Sequence, residues 1–259
     1  MINSIKIKES LKDKKINIIY KEETESTNTD LKALALNGAE AGTTVIAAMQ
    51  RGGRGRLGRS FCSPKGGGLY LSYLIKPIKI PPEDIVRITA AVSVVVTGAV
   101  EKVVGIFPKI KWVNDIIYKN KKICGILCET VWKGRTPYIV IGIGMNLRRV
   151  SIPDELLDIV GFINDFKSDF DEDELAKEII LGLYELEDII INKKYIKKYK
   201  EKSCLIGKEI FVIKNTKEEA IALDIDENGG LLVRYKNGAE EVLSSGEVSI
   251  KIKEDKNYE

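Results

Sequence analysis

The chain has 259 residues, of which 44% are hydrophobic and 31% are charged, and its formal net charge is +3. This length suits one large domain with a smaller companion, and the composition is typical of a globular protein in water. The charge is too small to indicate nucleic-acid binding by itself, no apolar run is long enough to span a membrane, and the polar N-terminus does not resemble a signal peptide.

The chain contains four cysteines and no histidine. Four cysteines are too few for a disulfide framework in a chain this long, which predicts a protein of the reducing cytoplasm. Without histidine, Ser-His-Asp and Cys-His catalysis and His-ligated zinc are excluded. Any reaction must therefore depend on lysine, arginine, carboxylates or a bound metal.

The first predicted elements are a strand over residues 15–20, a helix over 29–38 and a strand over 43–49. Leu31, Leu34 and Ala35 share one face of this helix, and Thr27 or Asn28 can cap it. Ser26, Thr27 and Asn28 therefore lie at a helix N-terminus. A simple capping run explains these three residues as well as a binding role does.

The following loop holds three arginines and four glycines between Arg51 and Gly58, with a fourth arginine, Arg59, just beyond. Arginine presents a planar fork of donors that matches carboxylate and phosphate, and glycine lets the backbone approach a ligand closely. The pattern favours an anion-binding loop over a solvated basic turn.

Two nucleotide-binding motifs also match this loop, Gly53-x-Gly55-x-x-Gly58 and Gly53-x-x-x-x-Gly58-Arg59-Ser60. Both need a helix directly after the loop, so that phosphate binds at the helix N-terminus. Residues 61–68 are instead rich in Pro and Gly, and residues 69–75 predict another strand. The sequence therefore argues against a Rossmann or P-loop site.

A long core helix is predicted from Pro81–Asp84 to Gly105, followed by strands over 110–113, 116–118, 123–131 and 137–145. In the last strand Gly142 and Gly144 share one face. Bare backbone there admits either a flat ligand or a closely packed helix.

Residues 150–168 are irregular, and residues 171–202 predict a helical stretch with a lysine-rich end. Five short strands between 208 and 252, joined by turns such as Asn237-Gly238, predict a small SH3-like barrel. We place the domain boundary between residues 204 and 205, which gives domains 1–204 and 205–259.

Four segments together resemble the biotin–protein ligase family. They are Glu25–Asn28, Gly53–Arg59, Lys111–Asp115, and Lys121–Glu129 leading to Ile141–Asn146. The resemblance implies an α+β fold with a mixed, mostly antiparallel sheet and helices, like the class II aminoacyl-tRNA synthetases, followed by the SH3-like barrel.

Family members activate biotin with MgATP to biotinyl-5′-AMP and transfer it to one lysine of a carrier domain, such as that of acetyl-CoA carboxylase. The catalytic residues implied by the resemblance are Lys122, Arg54, Arg56 and Asp115. Those implied for biotin are Ser26, Thr27, Asn28, Gln50, Arg54, Gly55, Arg56, Lys122 and Gly125. Those implied for ATP and the adenylate are Arg56, Arg59, Asn114, Asp115, Lys122, Asn146 and Lys251, and metal ligands are left unassigned.

The resemblance also implies a lid over residues 150–157. Too few residues precede the first strand for a DNA-binding domain, so we expect the ligase-only form without DNA as a partner. A homodimer and a monomer remain equally open. The alternative functions are a lipoate–protein ligase, whose signature histidine is missing here, and a non-catalytic nucleotide-binding switch.

Overall fold

The computed structural model describes residues 2–76, 84–244 and 249–252. Its larger sheet contains seven strands, which are β1 (Asn17–Lys21), β2 (Thr43–Ala47), β3 (Gly68–Ile75), β4 (Lys109–Lys111), β5 (Asp115–Tyr118), β6 (Lys121–Lys133) and β7 (Thr136–Asn146). They lie in the order β1-β2-β3-β7-β6-β5-β4. β1 and β2 run parallel, and the other neighbouring pairs run antiparallel. The predicted mixed, mostly antiparallel sheet is confirmed.

Six α-helices accompany the sheet in the described residues: α1 (Ser4–Ser10), α2 (Thr27–Leu36), α3 (Ile85–Val104), α4 (Glu172–Tyr184), α5 (Leu186–Ile191) and α6 (Lys194–Lys202). The sequence did not predict α1, which Asn3 caps by accepting a hydrogen bond from the backbone N–H of Lys6. α3 ends as predicted at Gly105, whose φ is +76°. Its predicted start at Pro81–Glu83 lies outside the described residues.

The helical stretch predicted over 171–202 is three helices rather than one. It bends at Glu185 between α4 and α5, and the left-handed backbone of Lys193 (φ 51°) separates α5 from α6. These breaks let Leu186, Tyr195 and Tyr199 all enter the core that α3 forms with the sheet. The apolar period predicted the helical content, and packing against α3 determined where the helix breaks.

The two faces of the seven-stranded sheet are covered differently. α3 and the helices that follow it pack on one face, whereas Leu31 and Ala35 of α2 pack on the other against Val45, Leu74 and Val140. Side chains alternate between the two faces of a strand, so Gly142 and Gly144 lie on the same face as Val140. The face that carries α2 therefore has an open region of bare backbone beside the helix.

The second sheet follows the helices and has five antiparallel strands: β8 (Glu209–Ile213), β9 (Lys217–Ile225), β10 (Leu231–Tyr235), β11 (Glu240–Leu243) and β12 (Ser249–Ile252). Their order is β11-β10-β9-β8-β12, as expected for the small barrel. The barrel touches the first domain where the indole Nε1 of Trp112 donates to the carbonyl of Gly229 at 2.9 Å. The domain boundary between 204 and 205 stays a prediction.

Within the described residues, every helix is too short or too polar to cross a lipid bilayer.

Candidate functional site

A cavity of about 520 Å³ opens on the α2 face of the large sheet. It is bounded by α2, the arginine-glycine loop, β6, β7 and the last barrel strand. Every residue that the sequence assigned to the site lines it: Ser26, Thr27, Asn28, Gln50, Arg54, Gly55, Arg56, Arg59, Asn114, Asp115, Lys122, Gly125, Asn146 and Lys251. The structure thus brings together residues that are more than two hundred positions apart, while their individual roles stay predictions.

One end of the cavity, which we call the neutral end, consists of Ser26, Thr27, Asn28 and Gln50. Ser26, in extended backbone (φ −161°, ψ 131°), occupies the N-cap position of α2, and Thr27 and Asn28 form its first turn. The expectation that Thr27 or Asn28 caps the helix is therefore wrong. Ser26, Thr27 and Asn28 are each at most 4% exposed. The Thr27 hydroxyl contacts Gln50 and Ser72, and the Asn28 amide contacts Ser72 and Glu129.

Gln50 links the start of α2 to Ser63, which follows the loop. Its Oε1 accepts a hydrogen bond from the backbone N–H of Thr27 at 2.9 Å, and its Nε2 donates to Ser63 Oγ at 2.8 Å. Residue 50 is also bridged through its backbone to Thr24 and Ser63. The carboxamide is consequently fixed at both ends before any ligand arrives.

The two glycines of β7 are explained by two different neighbours. A Cβ at Gly142 would lie 2.3 Å from Asn28 Oδ1, and a Cβ at Gly144 would lie 2.5 Å from the Phe61 ring. The sequence left open either a flat ligand or a closely packed helix as the reason for these glycines. At Gly142 the reason is the helix, because Asn28 belongs to α2. At Gly144 the close approach is made by a flat aromatic side chain of the protein itself.

The arginine-glycine loop is a small closed hairpin. The N–H of Gly55 donates to the carbonyl of Arg59 at 2.7 Å, and the N–H of Phe61 donates to that of Gly53 at 2.8 Å. Leu57 (φ 55°) and Gly58 (φ 72°) form its left-handed tip. The hairpin itself contains a single 3₁₀ turn, Arg56–Gly58, and the next element is β3, where a phosphate-binding helix would stand in a Rossmann or P-loop unit. The argument against those two motifs is confirmed.

The opposite end of the cavity, which we call the charged end, contains Arg54, Arg56, Arg59, Lys122 and Asp115. A tight turn at Lys119 and Asn120, both with positive φ, reverses the chain between β5 and β6. This turn sets Lys122 beside Asp115, with Nζ 2.6 Å from Oδ1.

Arg56 lies deepest of the three arginines. Its Nη1 is 3.4 Å from Asn114 Oδ1, and Asn114 is itself fixed because its Nδ2 donates to the carbonyl of Ile126 at 2.9 Å. Burial lowers the pKa of the Arg56 guanidinium, and the charge of Asp115 acts in the opposite direction. An arginine remains charged at neutral pH under such a shift. Arg54 and Arg59 are exposed to solvent at the cavity mouth.

The segment predicted as a lid supplies the apolar wall above Lys122. Ile152 and Leu156 of this segment line the cavity, and so do Ile159 and Val160 just after it. The N–H of Lys122 donates to the carbonyl of Ile159 at 2.7 Å, and the N–H of Gly161 returns a bond to the carbonyl of Lys122 at 3.0 Å. The residues that directly follow the predicted lid are thus attached to the strand that carries the lysine.

Three residues of the site were missed at the sequence level. The Phe61 ring covers Gly144 and lies 6.0 Å from Lys122 Nζ, while Ser72 and Glu129 hold Asn28 from behind. Ser72 carried a signal, because it is the only polar side chain besides the two tyrosines in the otherwise apolar strand at 69–75. Glu129 carried none, since an acid near the end of a strand is ordinarily solvated.

Two family models match the chain. The biotin/lipoate A/B protein ligase family matches residues 20–146, and the biotin protein ligase C-terminal domain matches residues 205–251. The first match contains the site residues of α2, the loop, β6 and β7. The second covers the barrel, including Lys251.

Individual relatives agree with these matches. A bifunctional ligase/repressor BirA from Bacillus spizizenii is 39% identical over 145 residues, which cover 55% of this chain and 44% of the relative. The match thus spans less than half of that relative's length. A biotin–[acetyl-CoA-carboxylase] ligase from Mycobacterium tuberculosis is 29% identical over 238 residues, which cover 87% of this chain and 86% of the relative.

Among solved structures, the biotin protein ligase from Aquifex aeolicus in complex with biotin and ATP superposes with a TM-score of 0.80 at 27% identity. The alignment covers 91% of this chain and 99% of that one. The likeness extends across both sheets.

Proposed function

This chain belongs to the biotin/lipoate A/B protein ligase family, and from that premise we infer that it is an ATP-dependent biotin–protein ligase. It joins biotin to AMP through the carboxylate of biotin and then passes the biotinyl group to a lysine of a carrier domain. Two of the relatives support the choice of biotin, the Mycobacterium tuberculosis biotin–[acetyl-CoA-carboxylase] ligase and the Aquifex aeolicus enzyme with biotin and ATP.

One observation carries the proposal: a neutral end and a charged end share a single cavity. The hydroxyl and amide groups of Ser26, Thr27, Asn28 and Gln50 offer the mixture of donors and acceptors that a cyclic urea requires. A dithiolane ring, the head group of lipoate, presents nothing for such groups to bond. The neutral end therefore favours biotin over lipoate.

The charged end suits the first chemical step. A carboxylate oxygen of biotin attacks the α-phosphorus of ATP, a bond from that phosphorus to oxygen breaks, and pyrophosphate leaves. The two reacting groups are anions that repel each other, so fixed positive charge must bring them together. Arg54 and Arg56 hold the carboxylate and the α-phosphate, Lys122 faces the charge that develops between them, and Arg59, Asn114 and Asn146 hold the nucleotide.

The second step transfers the biotinyl group. The amine of the carrier lysine attacks the acyl carbon of the mixed anhydride, the acyl–oxygen bond breaks, and AMP leaves. Asp115 lies 2.6 Å from Lys122 and is placed to orient the incoming ammonium group and accept its proton. Lys251, brought to the cavity by β12, reaches the nucleotide from the barrel side.

Mg²⁺ enters the proposal as the partner of ATP. Among the described residues, no cluster of three or more acids, cysteines or histidines forms a protein-only metal site. That fits Mg²⁺, which usually binds one or two carboxylates together with substrate phosphates. Asp115, with the amide oxygens of Asn114 and Asn146, would hold the ion, which neutralises phosphate charge when bound.

Residues 150–157 are proposed to close over the adenylate. A mixed anhydride is readily hydrolysed, so the enzyme must keep water away until the carrier arrives. The apolar side chains of Ile152 and Leu156 already face the cavity. We further propose that the carrier is the biotin domain of acetyl-CoA carboxylase and that the reaction takes place in the cytoplasm, and we leave a homodimer and DNA binding to measurement.

Isotope exchange between pyrophosphate and ATP tests the function. The purified chain should catalyse exchange that depends on biotin, and it should biotinylate a carrier domain when all substrates are present. Exchange that depends on lipoate instead would identify the lipoate ligase alternative. Binding of ATP with no exchange under any acid would indicate the non-catalytic switch.

A further inference from the structure

The neutral end has fewer hydroxyl protons than oxygen contacts. Ser72 Oγ lies 2.6 Å from Asn28 Oδ1 and 2.7 Å from Thr27 Oγ1, and Thr27 Oγ1 lies 3.0 Å from Gln50 Oε1. The serine and the threonine bring one proton each, and the two amide oxygens bring none. Three contacts share two protons, so one of them has only lone pairs facing each other.

The orientation of the Asn28 amide is fixed from outside the cavity. Its Nδ2 lies 2.8 Å from Glu129 Oε2 and 3.4 Å from the carbonyl of Leu127, and an ionised carboxylate and a carbonyl only accept hydrogen bonds. Glu129 is in turn paired with Lys32 at 2.5 Å. Asn28 must therefore present its oxygen to Ser72, which donates its single proton to it.

The orientation of the Gln50 amide is fixed in the same way. Its Oε1 accepts a hydrogen bond from the backbone N–H of Thr27, and a backbone N–H can only donate. Its Nε2 donates to Ser63 Oγ, whose own proton goes to the carbonyl of Phe61 at 3.0 Å. Gln50 therefore presents an acceptor to the Thr27 hydroxyl and cannot rotate to present a donor.

The remaining proton belongs to Thr27. With the Ser72 proton committed to Asn28, the 2.7 Å contact between Ser72 and Thr27 requires Thr27 to be the donor. The contact without a proton is then the longest of the three, between Thr27 Oγ1 and Gln50 Oε1. Thr27 and Gln50 both line the cavity, whereas Ser72 is fully buried beneath its wall.

We propose that Ser72 is a positioning residue that turns the Thr27 hydroxyl into an acceptor, so that the cavity selects a ligand placing an N–H between Thr27 and Gln50. This inference rests on the proposed function, in which that N–H belongs to the ureido ring of biotin. Sites that hydrogen-bond a polar group of the substrate reject analogues without it, because the protein groups are then left unpaired. Ser72 thus acts on selectivity without touching the ligand.

The probes are biotin and its two carbamate analogues, in each of which oxygen replaces one ring N–H. Affinities are measured by titration calorimetry on the wild-type chain, on Ser72→Ala and on Ser93→Ala. Ser93 is the matched control, because its fully buried hydroxyl donates to the carbonyl of Thr89 inside α3.

The wild-type chain should prefer biotin over one of the two analogues by at least about tenfold, the discrimination that about 1.4 kcal/mol provides. In Ser72→Ala the Thr27 hydroxyl loses its acceptor and rotates to donate its proton to Gln50 Oε1. The preference for biotin over that analogue should therefore shrink by about tenfold. In Ser93→Ala the preference should keep its wild-type value.

A merely structural role for Ser72 predicts a different pattern. Ser72→Ala would then weaken biotin and both analogues by one common factor and leave the ratio unchanged, which overturns the inference while the proposed function stands. If the wild-type chain binds biotin and the analogues equally, the acceptor pair is absent and the inference fails as well. If it binds no biotin at all, the proposed function and this inference fall together.

Discussion

The two ends of the cavity are built in contrasting ways. At the neutral end Thr27 and Asn28 lie on a helix and are contacted from behind by Ser72 of a central strand, and each of the three is 4% exposed or less. At the charged end Arg54 and Arg59 are exposed on a hairpin loop that has a left-handed tip. Neutral groups need a fixed geometry to choose a ligand, whereas charges act over several ångströms and tolerate movement. The contrast teaches that selection and chemistry can be assigned to different kinds of structure within one pocket.

The largest effect is expected when the charged end loses its lysine. Lys122→Met removes the cation that faces the reacting groups and leaves Asp115 without its partner at 2.6 Å. Loss of one preorganised transition-state donor typically lowers the rate by about 10²–10³-fold. Biotin-dependent exchange of pyrophosphate into ATP should fall by this factor.

The control for that variant is Lys133→Met, at the exposed far end of the same strand. Its exchange rate should stay at the wild-type value. Equal rates for Lys122→Met and Lys133→Met would remove Lys122 from the chemistry and abolish the distinction between the two ends.

The next effect belongs to the neutral end and appears in stability as well as binding. A Cβ introduced by Gly142→Ala would lie 2.3 Å from Asn28 Oδ1, and Asn28 cannot yield because Ser72 and Glu129 hold it. Overpacking of this kind costs about 1–3 kcal/mol, which lowers the Tm by several degrees, and biotin affinity should fall too.

Gly98→Ala in α3 serves as the matched substitution, because nothing lies within 4 Å of its Cβ. Alanine is favoured over glycine inside a helix by up to about 1 kcal/mol, so this variant should melt at the wild-type temperature or higher. A Gly142→Ala protein as stable as Gly98→Ala would show that the neutral end is more pliable than its contacts indicate.

Salt should separate the two ends directly. Raising the salt concentration to about 1 M shortens the Debye length from about 10 Å at 0.1 M to about 3 Å, which screens the exposed arginines. The KM values for ATP and biotin should rise several-fold. Binding of 2-imidazolidinone, a neutral cyclic urea without a carboxylate, should be unaffected in calorimetry, and parallel salt dependence of all three ligands would contradict the division.

The smallest effect concerns the tip of the arginine-glycine loop. Gly58 has φ 72° and open space around its Cβ position, so Gly58→Ala introduces backbone strain and no clash. A left-handed alanine costs about 1–2 kcal/mol, offset in part by the reduced freedom of the unfolded chain. The Tm should shift by no more than a few degrees, with a modest rise in KM for biotin that steady-state kinetics can detect.

Much of the site was accessible from the sequence because its signals are local. The run at Ser26–Asn28 indicated a helix start, and the alternation of arginine and glycine indicated an anion-binding loop before any fold was known. The family resemblance then placed Lys122 and Asp115 in the same pocket, where the structure sets them 2.6 Å apart.

The remaining features depend on contacts between distant segments. Glu129 accepts a hydrogen bond from the side-chain amide of Asn28, which lies 101 positions earlier in the chain, and no sequence periodicity predicts such a pair. Likewise, the breaks at Glu185 and Lys193 follow from how the last helices pack on α3. Local sequence patterns predict helices and strands. Tertiary packing decides which side chains hold the ligand-binding residues in place.

The hydrogen bond from Trp112 to the carbonyl of Gly229 has a consequence for how the molecule can be divided. Trp112 forms part of the cavity wall and is 4% exposed, and its indole proton is accepted by a turn of the barrel. Removing the barrel would leave the Trp112 N–H without its acceptor and would destabilise the part of the cavity wall next to Asn114. Expressing the first domain without the barrel should therefore yield a damaged pocket, so the barrel is an integral component of the site and not an accessory module.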